Sequence, residues 1–126
     1  QVTAGEGAQF ENLVACALLK ELHFIEDTLG ATTKLHYLRT KDGKELDFLI
    51  MVDEKVMLIL EVKLSNHDIA TGFTYFRKYF PSARPIQLVK NIKRNKTFSD
   101  GLQIISALPW LASIDFHPET LSGGQV

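Results

Sequence analysis

Two carboxylates and an amine interrupt the most apolar part of the chain. Asp47, Glu61 and Lys63 lie within ELDFLIMVDEKVMLILEVKLS, residues 45–65, whose other positions are mostly aliphatic. The segment is typical of two strands joined by a turn at residues 53–55. Carboxylates beside an ammonium group are the side chains that bind a divalent metal ion and orient a water molecule next to a phosphate.

The register of this hairpin decides which side chains meet. A turn centred on Glu54 sets Asp47 directly opposite Glu61, and Glu45 opposite Lys63. All four side chains then project from one face, because alternate residues of a strand share a side. Glu45 and Lys63 form an ordinary ion pair, whereas two like charges facing each other in apolar surroundings are destabilising. The pairing requires a turn with an odd number of residues, since a one-residue slip sends one carboxylate to the other face.

Three arrangements relieve the repulsion between Asp47 and Glu61. One carboxyl can hold a proton, Lys63 can neutralise the pair, or a divalent metal can lie between the two side chains. Mg²⁺ suits this spacing, since it takes oxygen ligands from one or two carboxylates together with waters and a substrate phosphate. The alternative is structural, with both carboxylates hydrated at strand ends. The sequence Glu-Val-Lys favours a site, because two charged side chains flank the apolar Val62 at the end of a strand.

The elements around the hairpin predict a single α/β domain over residues 1–116, followed by a tail over 117–126. We expect helices over residues 8–24, from Ser65 to Pro81 and near Pro109, and strands over 35–40, 44–52, 56–64, 85–90 and 102–108. The two long strands are apolar on both faces, as in a sheet covered by helices on each side. The order is α-β-β-β-α-β, with a further β and α after it.

Composition is that of an ordinary globular domain. The formal net charge of 126 residues is -1, so any surface for nucleic acid must be local. A single cysteine, Cys16, rules out a disulfide within the chain and favours a reducing cytoplasm. No apolar run reaches the length of a membrane span, so we expect no membrane partner. Because the chain starts at Gln1, we interpret it as part of a longer protein.

These motifs together resemble the PD-(D/E)xK nuclease superfamily. Asp47 is followed, after thirteen intervening residues, by Glu61-Val62-Lys63, and a leading helix carries Glu11. More narrowly, GAQFENLVACALL, YLRTKDGKELDFLI and LILEVKLS resemble the C-terminal domain that follows the ATPase domain in a class of bacterial and archaeal AAA-type ATPases. The likeness covers about residues 5–90. It implies a three-layer α/β/α restriction-endonuclease-like core (αβββαβ) with a mixed central sheet.

The resemblance also implies roles for individual residues. Asp47 and Glu61 would bind Mg²⁺ or Mn²⁺, with the Val62 carbonyl and Glu11 as further ligands. Lys63 would orient the attacking water and stabilise charge on the phosphate. The proline that often precedes the aspartate in this superfamily is replaced by Leu46. For Glu11 the alternative is a solvated helix residue beside the apolar stripe.

Two functions follow from the resemblance. The first is a Mg²⁺-dependent phosphodiesterase, a nuclease with DNA as the favoured substrate, acting beside an upstream ATPase domain of the same chain. The second is a non-catalytic accessory or interaction module of that ATPase with a nuclease-like fold. The intact motif favours metal binding, and the near-neutral charge weakens the case for nucleic acid. Strandedness of the substrate and the oligomeric state are open at this stage.

Basic residues outside the hairpin are candidates for contacts with nucleic acid. Arg39 can meet a phosphate, or it can pair with Asp42 or Glu45 at the surface. Lys93 and Arg94 belong to the one local basic cluster, which can track a phosphate backbone or be a solvated loop. The four histidines show no metal-ligand spacing, and LSGGQ at residues 121–125 matches a transporter signature without a Walker A sequence.

Overall fold

The computed structural model describes residues 4–65 and 68–116. Its helices are α1 (Ala4–Leu29), α2 (Thr71–Tyr79) and α3 (Ala107–Ala112). Its strands are β1 (Thr33–Arg39), β2 (Glu45–Val52), β3 (Lys55–Lys63), β4 (Arg84–Val89), β5 (Lys96–Thr97) and β6 (Gln103–Ser106). Strand β5 falls in the segment that the sequence predicts as a loop. The predicted tail over residues 117–126 lies outside the described residues.

The six strands form one mixed sheet in the order β1-β2-β3-β4-β6-β5. Strands β1, β2 and β3 are mutually antiparallel, β3, β4 and β6 are parallel, and β5 is antiparallel to β6. The predicted α/β class and mixed sheet are therefore confirmed. The carboxyl ends of the three parallel strands meet at one edge, which is where open α/β sheets bind ligands.

Helices cover both faces of the sheet. The buried side of α1, which includes Val14 and Leu18, packs with α3 against one face in a single apolar cluster. Phe73 and Phe76 of α2 form a second cluster on the opposite face. Each fully buried aliphatic or aromatic side chain of this kind contributes about 1.5–3 kcal/mol. Leu13, which the helical pattern places on the buried face of α1, is 51% exposed, because that face is narrower than the sequence predicts.

The hairpin between β2 and β3 differs from the predicted one. Its turn has an even number of residues, Asp53 and Glu54, and both have positive φ, 51° and 67°. Such φ values are those of a type I′ hairpin turn, whose twist suits antiparallel strands. The register then shifts between Ile50 and Met51, so that Ile50 pairs with Leu58. Beyond this irregularity the two strands pair in the predicted register, as far as Phe48 opposite Leu60. That register sets Asp47 opposite Glu61.

Helix α2 begins later than the sequence predicts. Its N-cap is Ala70, which provides no side-chain cap, so the predicted start of this helix at Ser65 is wrong. The chain after β3 is held beside β4 instead: the Asn91 N–H donates to the Leu64 carbonyl at 2.8 Å. Three residues after Ser65, the Asp68 carbonyl accepts a hydrogen bond from Gln87 at 3.0 Å. Backbone that is bonded to a strand in this way cannot also form a helical turn.

Candidate metal and phosphate site

A bulge in β2 sets the position of Asp47. Strand β1 pairs His36 with Leu49 and Leu38 with Leu46, so Asp47 and Phe48 together oppose the single residue Tyr37. Bulges of this kind re-aim a side chain and recur beside functional sites. Leu46 and Leu49 consequently pack in the same cluster under α2, although they are three residues apart. The predicted alternation, which put all four charged side chains on one face, fails at this bulge.

Asp47 bridges the gap where the β2–β3 ladder ends. Its Oδ2 accepts a hydrogen bond from the Val62 N–H at 2.8 Å. Its carboxylate also interacts with the carboxyls of Glu11 and Glu61. Burial raises the pKa of Asp47, and the Val62 N–H opposes that rise. The structure thus brings Asp47 and Glu61 together, as the sequence predicts.

Glu61 is the more perturbed member of this pair. Burial first, and the negative charge of Asp47 second, raise the pKa of the Glu61 carboxyl to about 8. Of the three ways to relieve the repulsion between Asp47 and Glu61, the protein without metal uses protonation. Glu61 holds the proton and shares it with Asp47. Lys63 lowers the pKa of Glu61, but it is the smallest of the named causes.

One oxygen of Glu61 has no partner. Within the described residues, Glu61 Oε1 is buried and accepts no hydrogen bond. A buried acceptor without a donor costs about 1–3 kcal/mol, and more when it is charged. A hard divalent cation would satisfy such an oxygen, so this atom fits the metal that the motif implies.

Glu11 approaches the site from α1. It lines an open cleft of about 560 Å³ together with Asn12, Tyr37, Asp47 and Phe48. Burial raises the pKa of Glu11, as does the charge of Asp47. The side chain of Glu11 is exposed and also interacts with Asp47, and its role as a metal ligand stays a prediction.

The carboxylates do not converge on one point. In the part of the chain that the structure describes, no group of three or more His, Cys, Asp or Glu side chains could hold a metal ion. Asp47 interacts with both Glu11 and Glu61, but these two residues come from opposite faces of the sheet. Glu11 belongs to α1, and Glu61, two residues after Ile59, projects on the α2 side of β3. A metal at Asp47 and Glu61 would need further ligands from the backbone, from water or from a substrate.

The Val62 carbonyl is oriented to serve as such a ligand. In an extended strand the N–H and C=O of one residue point the same way, and those of the next residue point the opposite way. The Val62 N–H points towards Asp47 at 2.8 Å, and the Lys63 carbonyl points towards β4, where it accepts the Lys90 N–H at 3.0 Å. The Val62 carbonyl therefore faces the Asp47 side of β3.

Lys63 is half-buried at the end of β3, next to Val89 of β4. Its predicted partner, Glu45, forms an ion pair with Arg39 instead, with 3.6 Å between Arg39 Nε and Glu45 Oε2. The prediction of a Glu45–Lys63 pair is wrong, because it assumed an uninterrupted β2. For Arg39, one of the predicted surface pairings is confirmed. Asp42, its other predicted partner, contacts Lys44 and Thr40.

The basic loop starts at the same edge of the sheet. Lys93 and Arg94 are exposed and line a cleft of about 800 Å³ formed by residues 90–94 and Lys96. The loop follows the carboxyl end of β4, and its first residue is bonded to Lys63 through the backbone. Asn95 anchors its other end by accepting the Ser106 N–H at 2.8 Å. Arg39 ends β1 at this edge as well.

The model of a domain of unknown function, DUF4143, matches residues 6–110, which contain most of α1, all six strands and part of α3. The chain belongs to the DUF4143 family. No curated protein matches the chain. The match therefore assigns a family but no activity.

Two residues near the site were missed from the sequence. Tyr37 donates a hydrogen bond to Glu45 and lines the cleft with Glu11, but one tyrosine in a short strand gives no signal. Gln87 lies within the strand predicted over residues 85–90. A polar residue between Ile86 and Leu88, in a strand with two apolar faces, is a signal that could have marked it as a candidate. Of the histidines, His23 and His36 are exposed, and His67 and His117 lie outside the described residues.

None of the helices within residues 4–65 and 68–116 has the combination of length and apolar character that crossing a membrane requires.

Proposed function

We propose that this chain is a metal-dependent nuclease domain that hydrolyses phosphodiester bonds, with DNA favoured, and that it follows an ATPase domain of the AAA type. On this proposal α1, β1–β3, α2 and β4 form a restriction-endonuclease-like core. The observation that carries it is the Asp47–Glu61 pair, which lies in apolar surroundings with a buried, unpartnered carboxylate oxygen. Stability alone does not explain two such carboxylates in contact.

Each residue of the motif has a separate task. Asp47 and Glu61 hold Mg²⁺ or Mn²⁺ together with the Val62 carbonyl, and Glu11 assists at the cleft. Such an ion, held by these residues, would supply a water of lowered pKa and would neutralise charge on the phosphate. The Lys63 ammonium donates to the attacking water or to a phosphate oxygen. Arg39, Lys93 and Arg94 contact the nucleic-acid backbone on either side of the pair.

A cleavage assay tests this function. Wild-type protein, Glu61→Gln and Lys63→Met are incubated with single- and double-stranded DNA, with Mg²⁺ or Mn²⁺ or with neither. We expect metal-dependent cleavage by the wild type and a rate about 10²–10³-fold lower in each variant, the cost of losing one group that stabilises developing charge. Lys55→Met and Glu54→Gln are matched controls, because both residues are exposed at the far end of the same hairpin.

Thermal unfolding of each variant shows whether it keeps its fold. A loss of cleavage in a folded variant is then assigned to the substituted residue. Equal cleavage by the wild type and Lys63→Met would contradict the assigned role of Lys63. Absence of cleavage by the wild type with either metal and either DNA would contradict the nuclease.

A second function is favoured by one observation. The described acidic side chains form no three-ligand group, and the Asp47–Glu61 pair is relieved by a proton in the chain alone. These features suit a non-catalytic accessory or interaction module of the same ATPase, whether or not it binds a metal. Metal binding without cleavage would separate this module from the nuclease.

A further inference from the structure

Gln87 is an unusual residue for its position. Among residues 4–65 and 68–116 it is the one polar side chain that is fully buried, with 0% exposure. It lies in β4, between parallel strands β3 and β6, where both faces of the sheet are covered. Its Nε2 donates to the Asp68 carbonyl at 3.0 Å, but its Oε1 finds no hydrogen-bond donor among the residues that the structure describes. An apolar residue here would avoid that unsatisfied acceptor.

Gln87 and Glu61 are neighbours across two strands. The parallel register pairs Glu61 with Gln87, and residues paired in this way share a face. Their neighbours Leu60 and Ile86 pack in the cluster on the α1 side, so Glu61 and Gln87 both project on the α2 side. Their Oε1 atoms are the two buried side-chain acceptors that lack a hydrogen bond in the described structure. Two paired residues that each carry a buried acceptor without a donor in the described structure point to one missing positive group.

The orientation of the Gln87 amide is fixed by its own hydrogen bond. Exchanging Oε1 and Nε2 would place two oxygens, that of the amide and that of Asp68, against each other. The amide oxygen therefore stays directed away from Asp68. Amide and carboxylate oxygens together are ligands of hard divalent cations.

We propose that Gln87 is a further ligand residue for the cation bound by Glu61, giving its Oε1 either directly or through one water. This inference rests on the proposed function, because it concerns the same Mg²⁺ or Mn²⁺. A neutral amide adds an oxygen ligand without adding a third negative charge to the buried pair. Its position is set by β3 and β6 on either side and by Asp68, so little rearrangement accompanies binding.

The test is Mn²⁺ binding, measured by calorimetry and by the rise in melting temperature on adding Mn²⁺. Wild type is compared with Gln87→Leu, which keeps the side-chain size and removes the oxygen, and with Gln87→Glu, which restores one. Gln103→Leu is the matched control, because Gln103 lies on the neighbouring strand and its Oε1 is already bonded to Arg84 at 2.7 Å. Melting temperatures without metal establish that each variant folds.

We expect Gln87→Leu to weaken Mn²⁺ binding by about 10–100-fold, the usual effect of losing a group that supports a metal site. Gln87→Glu should keep the affinity, and Gln103→Leu should leave it unchanged. Wild-type affinity in Gln87→Leu, with binding lost in Glu61→Gln, would overturn the role of Gln87 and leave the metal site standing.

The cleavage assay separates failure of this inference from failure of the proposed function. Mn²⁺ binding that depends on both Glu61 and Gln87, in a protein that cleaves no DNA, supports the ligand role and contradicts the nuclease. Wild-type protein that binds no Mn²⁺ overturns the ligand role directly.

Discussion

At the scale of single residues, the site depends on Asp47. It accepts a hydrogen bond from the Val62 backbone, and its carboxylate interacts with the carboxyls of Glu11 and Glu61. The sequence predicts the contact with Glu61 from register alone. It does not predict the bulge at Asp47 and Phe48, because a bulge leaves no mark in a pattern of apolar residues. The same bulge explains why Glu45 pairs with Arg39 and not with Lys63.

The raised pKa of Glu61 predicts how stability depends on pH. The value rises from the ordinary 4.5 to about 8 on folding, so the folded chain holds a proton that the unfolded chain releases. The contribution of Glu61 to stability is fully present below pH 4.5 and is lost as pH rises to about 8. Urea unfolding at a series of pH values between these limits, without divalent metal, should show the free energy of unfolding fall.

Glu61→Gln should remove most of this slope, because a glutamine does not titrate. Asp47 and Glu11, whose pKa values are also raised, leave a smaller slope in the same direction. Glu54→Gln, in the exposed turn, should keep the wild-type slope. Equal slopes in the wild type and in Glu61→Gln would contradict the assignment of the shared proton to Glu61.

At the scale of elements, the hairpin reaches the predicted alignment by another route. The sequence argument required a turn with an odd number of residues, and the structure has two turn residues followed by a register shift. These two irregularities compensate, so Asp47 still meets Glu61. Helix α2 shows the opposite case, because Ser65 and Asp68 resemble a capping box while tertiary bonds to β4 delay the helix to Thr71.

The start of α2 predicts a sensitive glycine. A Cβ at Gly72 would lie 2.6 Å from the Glu45 carbonyl oxygen and 2.9 Å from the Glu45 nitrogen, and backbone atoms of a strand cannot move aside cheaply. Gly72→Ala should therefore lower the free energy of unfolding by about 1–3 kcal/mol, as overpacking does. It should also disturb the start of β2, two residues before Asp47.

Gly5→Ala is the control for this substitution. Gly5 lies in α1 with no atom within 4 Å of the added Cβ, so alanine there should be neutral or stabilise by about 0.5–1 kcal/mol. Chemical denaturation of both variants measures the difference. A Gly72→Ala protein as stable as the wild type would show that α2 does not pack on β2 this closely.

At the scale of the whole molecule, the residues of the proposed site and the basic residues proposed to contact DNA lie at one edge of the sheet. Glu61 and Lys63 lie near the end of β3, the basic loop follows β4, and Arg39 ends β1 beside them. The sequence predicts Asp47, Glu61 and Lys63 as one site, but it does not place Arg39 and the basic loop beside them. The strand order of the folded sheet does so, since the carboxyl ends of parallel strands meet at one edge. The sequence misses Gln87, because the parallel register that sets Gln87 beside Glu61 appears only in the folded sheet.

The basic loop predicts salt-dependent binding of DNA. Lys93→Ala with Arg94→Ala should weaken binding and reduce the slope of log K against log salt by about 1.4–1.8, since each lost phosphate contact removes about 0.7–0.9. Fluorescence anisotropy with a labelled oligonucleotide at several salt concentrations measures both quantities. Lys20→Ala with Lys34→Ala removes the same charge from exposed positions outside the loop and should leave the slope near that of the wild type. Similar slopes for the two double variants would exclude the loop as the contact surface.

The central claim is that a divalent cation binds at Asp47 and Glu61. The most direct test is the loss of amide signals in an NMR spectrum on adding substoichiometric Mn²⁺, whose unpaired electrons broaden nearby resonances. The signals of Asp47, Phe48, Glu61 and Val62 should disappear first in the wild type and persist in Glu61→Gln. Broadening centred on other carboxylates, such as Asp42 or Glu26, or an identical pattern in both proteins would contradict the claim.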